Sequence, residues 1–288
     1  MFRPQPIHVD TSVDDATREW SPKNFEAFLA EIERLKHDAA TTRSLLLFRG
    51  HSKRTWRLDS SFVRAIKSSL FKADPEHGFS ERLRNTAELN TTLSSLLLLK
   101  FGTIVVPSAE LNRVAESDGI DPWFELMKRY QQYPNEDLAP FGGTNLVDWS
   151  QSSDVALYFA NEARNGAGAI FVCDATATGK TLQRVSVETI LANIQEQIAR
   201  REPNGVPLLF SPPRQIAYER AKNQQAVYFA QMDLRIDLLE HWRIQEQASP
   251  QEAIALKIVL PQGSEESCDR YLASKGINGS FIYPDGLG

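Results

Sequence analysis

The chain has 288 residues, 42% of them hydrophobic and 24% charged, enough apolar material for one or two domains with a full core. A net charge of −5 and a pI of about 5.7 argue against a broadly basic nucleic-acid binder and leave room only for a local basic groove. Two cysteines, Cys173 and Cys268, are too few for a disulfide framework or a Cys-rich zinc site.

No apolar leader opens the sequence, and the apolar runs at 45–48 and 96–99 are far too short to span a bilayer. A cytoplasmic protein without membrane contact is expected. Residues 1–20 are polar and read as an extended arm. Ser21-Pro22 then predicts a helix start, Ser21 as cap and Pro22 as first helical residue, with Trp20 and Phe25 placed as a hydrophobic staple. Phe25, Phe28, Leu29, Ile32 and Leu35 form an apolar stripe at helical spacing. Residues 44–50 predict a buried strand ending in Phe48-Arg49-Gly50, and residues 80–100 a long helix closed by Phe101-Gly102.

Asp121-Pro122 starts a further helix, and 134–143 is loop. Residues 145–150 are extended, 153–164 helical with Gly166 just beyond, and 168–174 a strong strand containing Cys173. An amphipathic helix covers 187–201, and a Pro/Gly-rich loop covers 203–213. Strands follow at 227–232 and 253–260, then a helix at 264–275 stopped by Gly276. No repeat and no linker-like composition shift is visible, so residues 1–44 read as an N-terminal arm and helix leading into one domain over 45–288. Strands scattered among helices point to α+β, with an α/β sheet as the alternative.

Three constellations stand out. Arg49, at the end of an apolar strand, needs partners for a planar fork of donors. Two readings stand: a structural arginine pairing a buried aspartate, or an arginine for an anionic ligand such as phosphate. Gly50 would allow a sharp turn or a close ligand approach, and His51 is the one histidine of five beside this point. Asp148-Trp149-Ser150 precedes a helix. Asp148 or Ser150 could cap it, or the helix start beside Trp149 could meet an anionic or aromatic ligand; Asp148 is also the nearest candidate partner for Arg49. The polar stretch Arg220 to Gln225 leads into an apolar strand, where it is either a solvated strand entrance or a source of ligand-orienting amides.

Other chemistry is weakly signalled. None of the five histidines has metal-ligand spacing, so no metal is expected. Gly179-Lys180-Thr181 lacks the glycine of a phosphate loop (Asp174 stands there), and no Gly-x-Ser-x-Gly elbow occurs. Lys53, Arg54, Arg57, Arg64 and Lys67 could form a basic track, or simply a solvated face.

Phe48-Arg49-Gly50, then Leu146-Val147-Asp148-Trp149-Ser150 with Val155-Ala156-Leu157-Tyr158-Phe159-Ala160, then Arg220 with Gln224, resemble the FRG domain family in order and content. Trp56, Leu58, Phe62 and Arg64 fit the stretch after the tripeptide, and Gly276-Ile277 with Pro284-Asp285-Gly286 the closing segment, so the resemblance covers about residues 45–286. It departs where Gln131-Gln132-Tyr133-Pro134 stands for Gln-His-Tyr-Gly, and where Asn145 replaces a common arginine.

A more distant similarity is to ADP-ribosyltransferases, which carry an Arg, a Ser and a Glu on successive strands. It implies an α+β fold with a split β core, surrounding helices and an N-terminal helical lead-in. It also implies a nucleotide-type pocket, with NAD as the ligand. Arg49, Gly50, His51, Trp149 and Arg220 would bind the ligand, and Ser150, Asp148 and Gln224 would occupy the catalytic positions. In such enzymes the glutamate stabilises the positive charge that develops as nicotinamide leaves. Gln224 is neutral, so Asp148, or Glu219 five residues before Gln224, would have to replace it. The implied roles are an ADP-ribosyltransferase-like toxin or phage-defence effector acting on a protein or nucleic-acid target, or a non-catalytic nucleotide-sensing or interaction module.

Overall fold

The computed structural model describes residues 19–69, 86–104, 143–178, 187–201, 206–210, 219–248 and 253–284. The helix expected from Asp121, the Gln131–Pro134 counterpart, most of the 134–143 loop and Asp285-Gly286 lie outside the described residues.

A seven-stranded mixed sheet organises the fold. Its strands are β1 (Glu19–Trp20), β2 (Leu46–His51), β3 (Leu146–Ser150), β4 (Gly168–Asp174), β5 (Leu208–Phe210), β6 (Ala226–Ala230) and β7 (Ala255–Leu260), in the order β1-β7-β4-β2-β3-β6-β5. Only the short β1–β7 pair is parallel; every other pairing is antiparallel. β4 sits between β2 and β7 and is buried along its whole length, which is why its sequence is an unbroken apolar run to Cys173 instead of an alternation.

The helices are α1 (Phe25–Thr42), α2 (Ser61–Ser69), α3 (Ala87–Ile104), α4 (Ser153–Asn161), α5 (Val187–Arg200), α6 (Glu219–Asn223), α7 (Leu238–Ala248), α8 (Glu265–Ser274) and α9 (Gly279–Ile282). On one sheet face, α1, α4 and α8 pack over β2, β4 and β7 through Phe28, Ile32, Leu35, Ala156, Ala160, Ile170, Ile258 and Leu272. On the same face, α2, α3 and α5 cover β3 and β6 through Phe62, Leu93, Ile194, Leu146 and Tyr228. The opposite face is covered by α7, whose Leu238 and Trp242 meet Leu47, Trp149, Phe171 and Phe229. Mixed α and β elements are thus as expected, and the N-terminal helix belongs to the same core as the central strands.

Several boundaries differ from expectation for local reasons. α1 begins at Phe25, not Pro22, because Asn24 is the cap and accepts from the Ala27 N–H at 2.9 Å. Glu19–Trp20, expected as arm, pairs with Lys257 and Ile258 as a sheet edge. α3 runs through Gly102 to Ile104 instead of stopping there. α4 ends at Asn161, with Ala163 in the left-handed region (φ 49°). The Pro/Gly-rich segment contains β5, an edge strand on β6. α2, α6, α7 and α9 were not anticipated.

The feature that positions the site is the junction of β2 and β3. β2 shares six registered pairs with β4, and β3 five with β6. β2 and β3 share one, Phe48 with Ser150. Beyond it Arg49, Gly50 and His51 no longer pair with the rest of β3, so the sheet opens between its two halves.

Candidate functional site

A cavity of about 830 Å³ occupies this opening. Its lining combines Arg49, Gly50 and His51 of β2, Asp148, Trp149 and Ser150 of β3, Asp59 and Arg64 around α2, Glu162 after α4, and Arg220 and Gln224 around α6. Arg49, Gly50, His51, Asp148, Trp149, Ser150, Arg220 and Gln224, all singled out from the sequence, therefore border one space, but their roles in it differ.

Arg49 is the centre of the arrangement. Its Nη1 donates to the main-chain carbonyl of Asp148, not to the Asp148 carboxylate, and its Nε donates to Nε2 of His51 at 3.0 Å. A side chain thus spans the gap where a main-chain ladder bond would otherwise lie. Burial brings the Arg49 guanidinium down to about 10, Asp148 opposing and Arg64 reinforcing the shift. Arg64, half-buried beside it and donating to the Asp59 carbonyl at 2.6 Å, is also lowered by burial, with Asp59 and Asp148 opposing. Two desolvated guanidiniums on one cavity wall make a region suited to an anion.

His51 is 5% exposed, edge-on to Trp56 and Phe171. Burial and the charges of Arg49 and Arg64 drive its pKa well down, so the ring is neutral and Nε2 is free to accept from Arg49. It is a positioning residue for that arginine.

Gly50 is explained by packing. A Cβ there would overlap the Ala156 carbonyl oxygen and lie 2.6 Å from the Ala160 nitrogen. On β4, a Cβ at Gly168 would lie 2.7 Å from the Ala160 carbonyl oxygen. The two glycines let α4 rest directly on the sheet, so neither a sharp turn nor ligand access is what Gly50 provides.

Trp149 borders the cavity but offers no open stacking face. It is 2% exposed, edge-on to Phe229 at 5.8 Å and to Trp242 at 5.6 Å on the far side of the sheet. Strand alternation puts it opposite Asp148 and Ser150. The α4 cap is Ser152, which accepts from Val155 N–H, and neither Asp148 nor Ser150 takes that place. Ser150 Oγ instead accepts from Ser152 N–H at 2.9 Å and donates to the Gln224 main-chain carbonyl at 2.7 Å. It ties β3 to the turn entering β6.

Gln224 is likewise engaged. Its Nε2 donates to the Ile282 carbonyl at 3.1 Å, while the neighbouring Asn223 donates to Phe281 O at 2.8 Å. Both amides fasten α6 to α9. Arg220 lies over the Tyr283 ring, 4.8 Å from its centroid. Glu219 is exposed and is not part of the lining.

Among the described residues, three carboxylates line the cavity: Asp59, Asp148 and Glu162. Asp59 is 1% exposed and ion-paired with the equally buried Lys67. Glu162 was missed by sequence reasoning. Its Oε1 accepts from the Tyr158 hydroxyl at 3.2 Å and its Oε2 from the Tyr283 hydroxyl at 3.0 Å. Only the helical spacing of Tyr158 and Glu162 is visible in the sequence; Tyr283 arrives from the far end of the chain.

The basic track is largely neutralised. Arg54 pairs with Glu19, Arg57 with Asp237 and Glu240, and Lys67 with Asp59, while Lys53 lies over Trp56. Among the described residues no cluster of His, Cys, Asp and Glu could hold a metal ion, and no helix is long and apolar enough to cross a membrane. No family model, no curated protein and no solved structure matches this chain.

Proposed function

We propose that the cavity binds an anionic nucleotide, NAD foremost, and that the chain is an FRG-type domain with an ADP-ribosyltransferase-like fold. The observation that carries this reading is Arg49 at the opening between β2 and β3, with Arg64 on the same cavity wall. A phosphate would compensate two half-buried guanidiniums whose charge burial disfavours. The volume suits a nucleotide, since small-molecule sites run to roughly 300–1,000 Å³. The parting of the sheet into two halves supports the split β core that the ADP-ribosyltransferase similarity implies.

A specific observation favours a second reading, a non-catalytic nucleotide-sensing module. The position where a catalytic carboxylate would stand holds Gln224, whose amide is committed to α9. Transfer of ADP-ribose would then need Asp148 or Glu162 to supply the negative charge.

Thermal shift and nicotinamide release, with NAD added to wild type and to Arg49→Ala, separate these readings. Turnover that disappears in the variant supports a transferase or NAD hydrolase. A shift without turnover supports a sensor. Absence of both shift and turnover in wild type contradicts the nucleotide site itself.

A further inference from the structure

The nucleotide reading leaves open what the carboxylates of the cavity lining recognise. Asp59 is spent on Lys67 in the interior, and Asp148 sits among the arginines, where its charge favours the protonated forms of Arg49 and Arg64. Glu162 differs from both. It is exposed, it lines the cavity, and the two phenols that grip it, Tyr158 and Tyr283, stand outside the lining.

The grip is built. Asn161, on one side of Glu162, donates to Asp269 at 2.7 Å. Arg164, on the other, donates to Pro261 O at 2.7 Å and to Ser264 Oγ at 3.1 Å. Both flanks of the segment are thereby fastened to α8 or the loop before it. Tyr283 is held in turn by the Arg220 guanidinium over its ring. Burial and the neighbouring Glu162 charge raise both phenols, keeping them as hydroxyl donors.

A carboxylate oxygen has two acceptor directions, and each phenol takes one per oxygen. One direction on each oxygen remains, and two acceptors on one rigid group match two adjacent hydroxyl donors. A cationic ligand group is disfavoured, because Arg220, Arg49 and Arg64 border the same space. We infer that Glu162 binds the vicinal diol of a ribose, so that the site selects ribonucleotides over deoxyribonucleotides. This rests on the nucleotide reading above, with phosphate at Arg49 and Arg64 and the sugar turned toward Glu162.

The test compares ADP with 2′,3′-dideoxy-ADP by calorimetric titration of the full chain. Wild type should prefer ADP by roughly tenfold or more, the range of charge-assisted hydrogen bonds. Glu162→Gln should bring the two affinities within about twofold by weakening ADP alone, because a carboxamide replaces one acceptor with a donor. Tyr283→Phe should weaken the preference in the same direction while keeping the carboxylate. Binding of both nucleotides with no preference in wild type, or an intact preference in Glu162→Gln, overturns the assignment and leaves the nucleotide site standing. Failure of wild type to bind either nucleotide overturns both.

Discussion

Arg49 donates to the main-chain carbonyl of Asp148 across the gap where β2 and β3 cease to pair. The expected Arg–Asp pair exists as a contact between side chain and backbone, so the Asp148 carboxylate stays on the cavity side as part of its lining. The arginine both bridges the two halves of the sheet and lines the space between them. Its neighbours set the consequences that can be measured.

Gly50→Ala should be strongly destabilising. The added methyl meets backbone atoms of α4, which cannot rotate aside as a side chain could. Overpacking against such atoms costs about 3 kcal/mol or more. For a chain of this size that lowers the melting temperature by roughly 6–12 °C. An unchanged midpoint in thermal or denaturant unfolding would contradict the close α4–sheet contact.

Lys67→Met should cost about 3–5 kcal/mol, since it leaves the Asp59 carboxylate buried without its cation. The double variant Asp59→Asn with Lys67→Met should recover at least half of that loss, because no uncompensated charge remains. Gln231, which donates toward Asp59 at 3.4 Å, can still pair with the amide oxygen. Urea unfolding of the three proteins checks both expectations.

Acid should destabilise the fold partly through His51. Its folded pKa lies well below the ordinary 6.5, so below that pH the unfolded chain takes up a proton that the folded chain refuses. Stability therefore falls as pH drops through this window, by at most about 1.4 kcal/mol per pH unit for one group. His51→Gln removes the titration and should flatten the decline below about pH 6.5. An identical pH profile in the variant would show that His51 titrates normally.

Much of the fold is readable from the chain because burial writes itself into composition. The strand from Gly168 to Asp174 has no polar residue before its end, and it is the strand buried along its whole length. The Phe25 to Leu35 stripe is likewise legible as the buried face of α1. Segments whose stability comes from tertiary contacts are not. α7 fully buries Leu238, Trp242 and Glu246, and Glu246 is there to accept from the Ile254 and Ala255 N–H groups at 2.6 and 3.1 Å. A glutamate on the buried face erases the helical stripe. β5 is three residues held by pairing with β6, too short for any periodicity.

The site shows the same division. The tripeptide at Arg49, the Asp148 segment and Gln224, picked out by their order in the sequence, line one cavity. What each residue does there depends on neighbours remote in the chain: Trp149 faces Trp242, Gly50 faces Ala156, and Gln224 reaches Ile282. Glu162, at a helix end, reads as an ordinary solvated residue until Tyr283 is seen to hold it.

The central claim is that Arg49 makes this cavity an anion site for a nucleotide. Calorimetric titration of ADP-ribose into wild type and Arg49→Gln, with circular dichroism confirming that the variant is folded, tests it most directly. Saturable binding to wild type, weakened roughly tenfold or more in the folded variant, is the predicted result. Equal affinity in the two proteins, or no saturable binding to folded wild type, would contradict it.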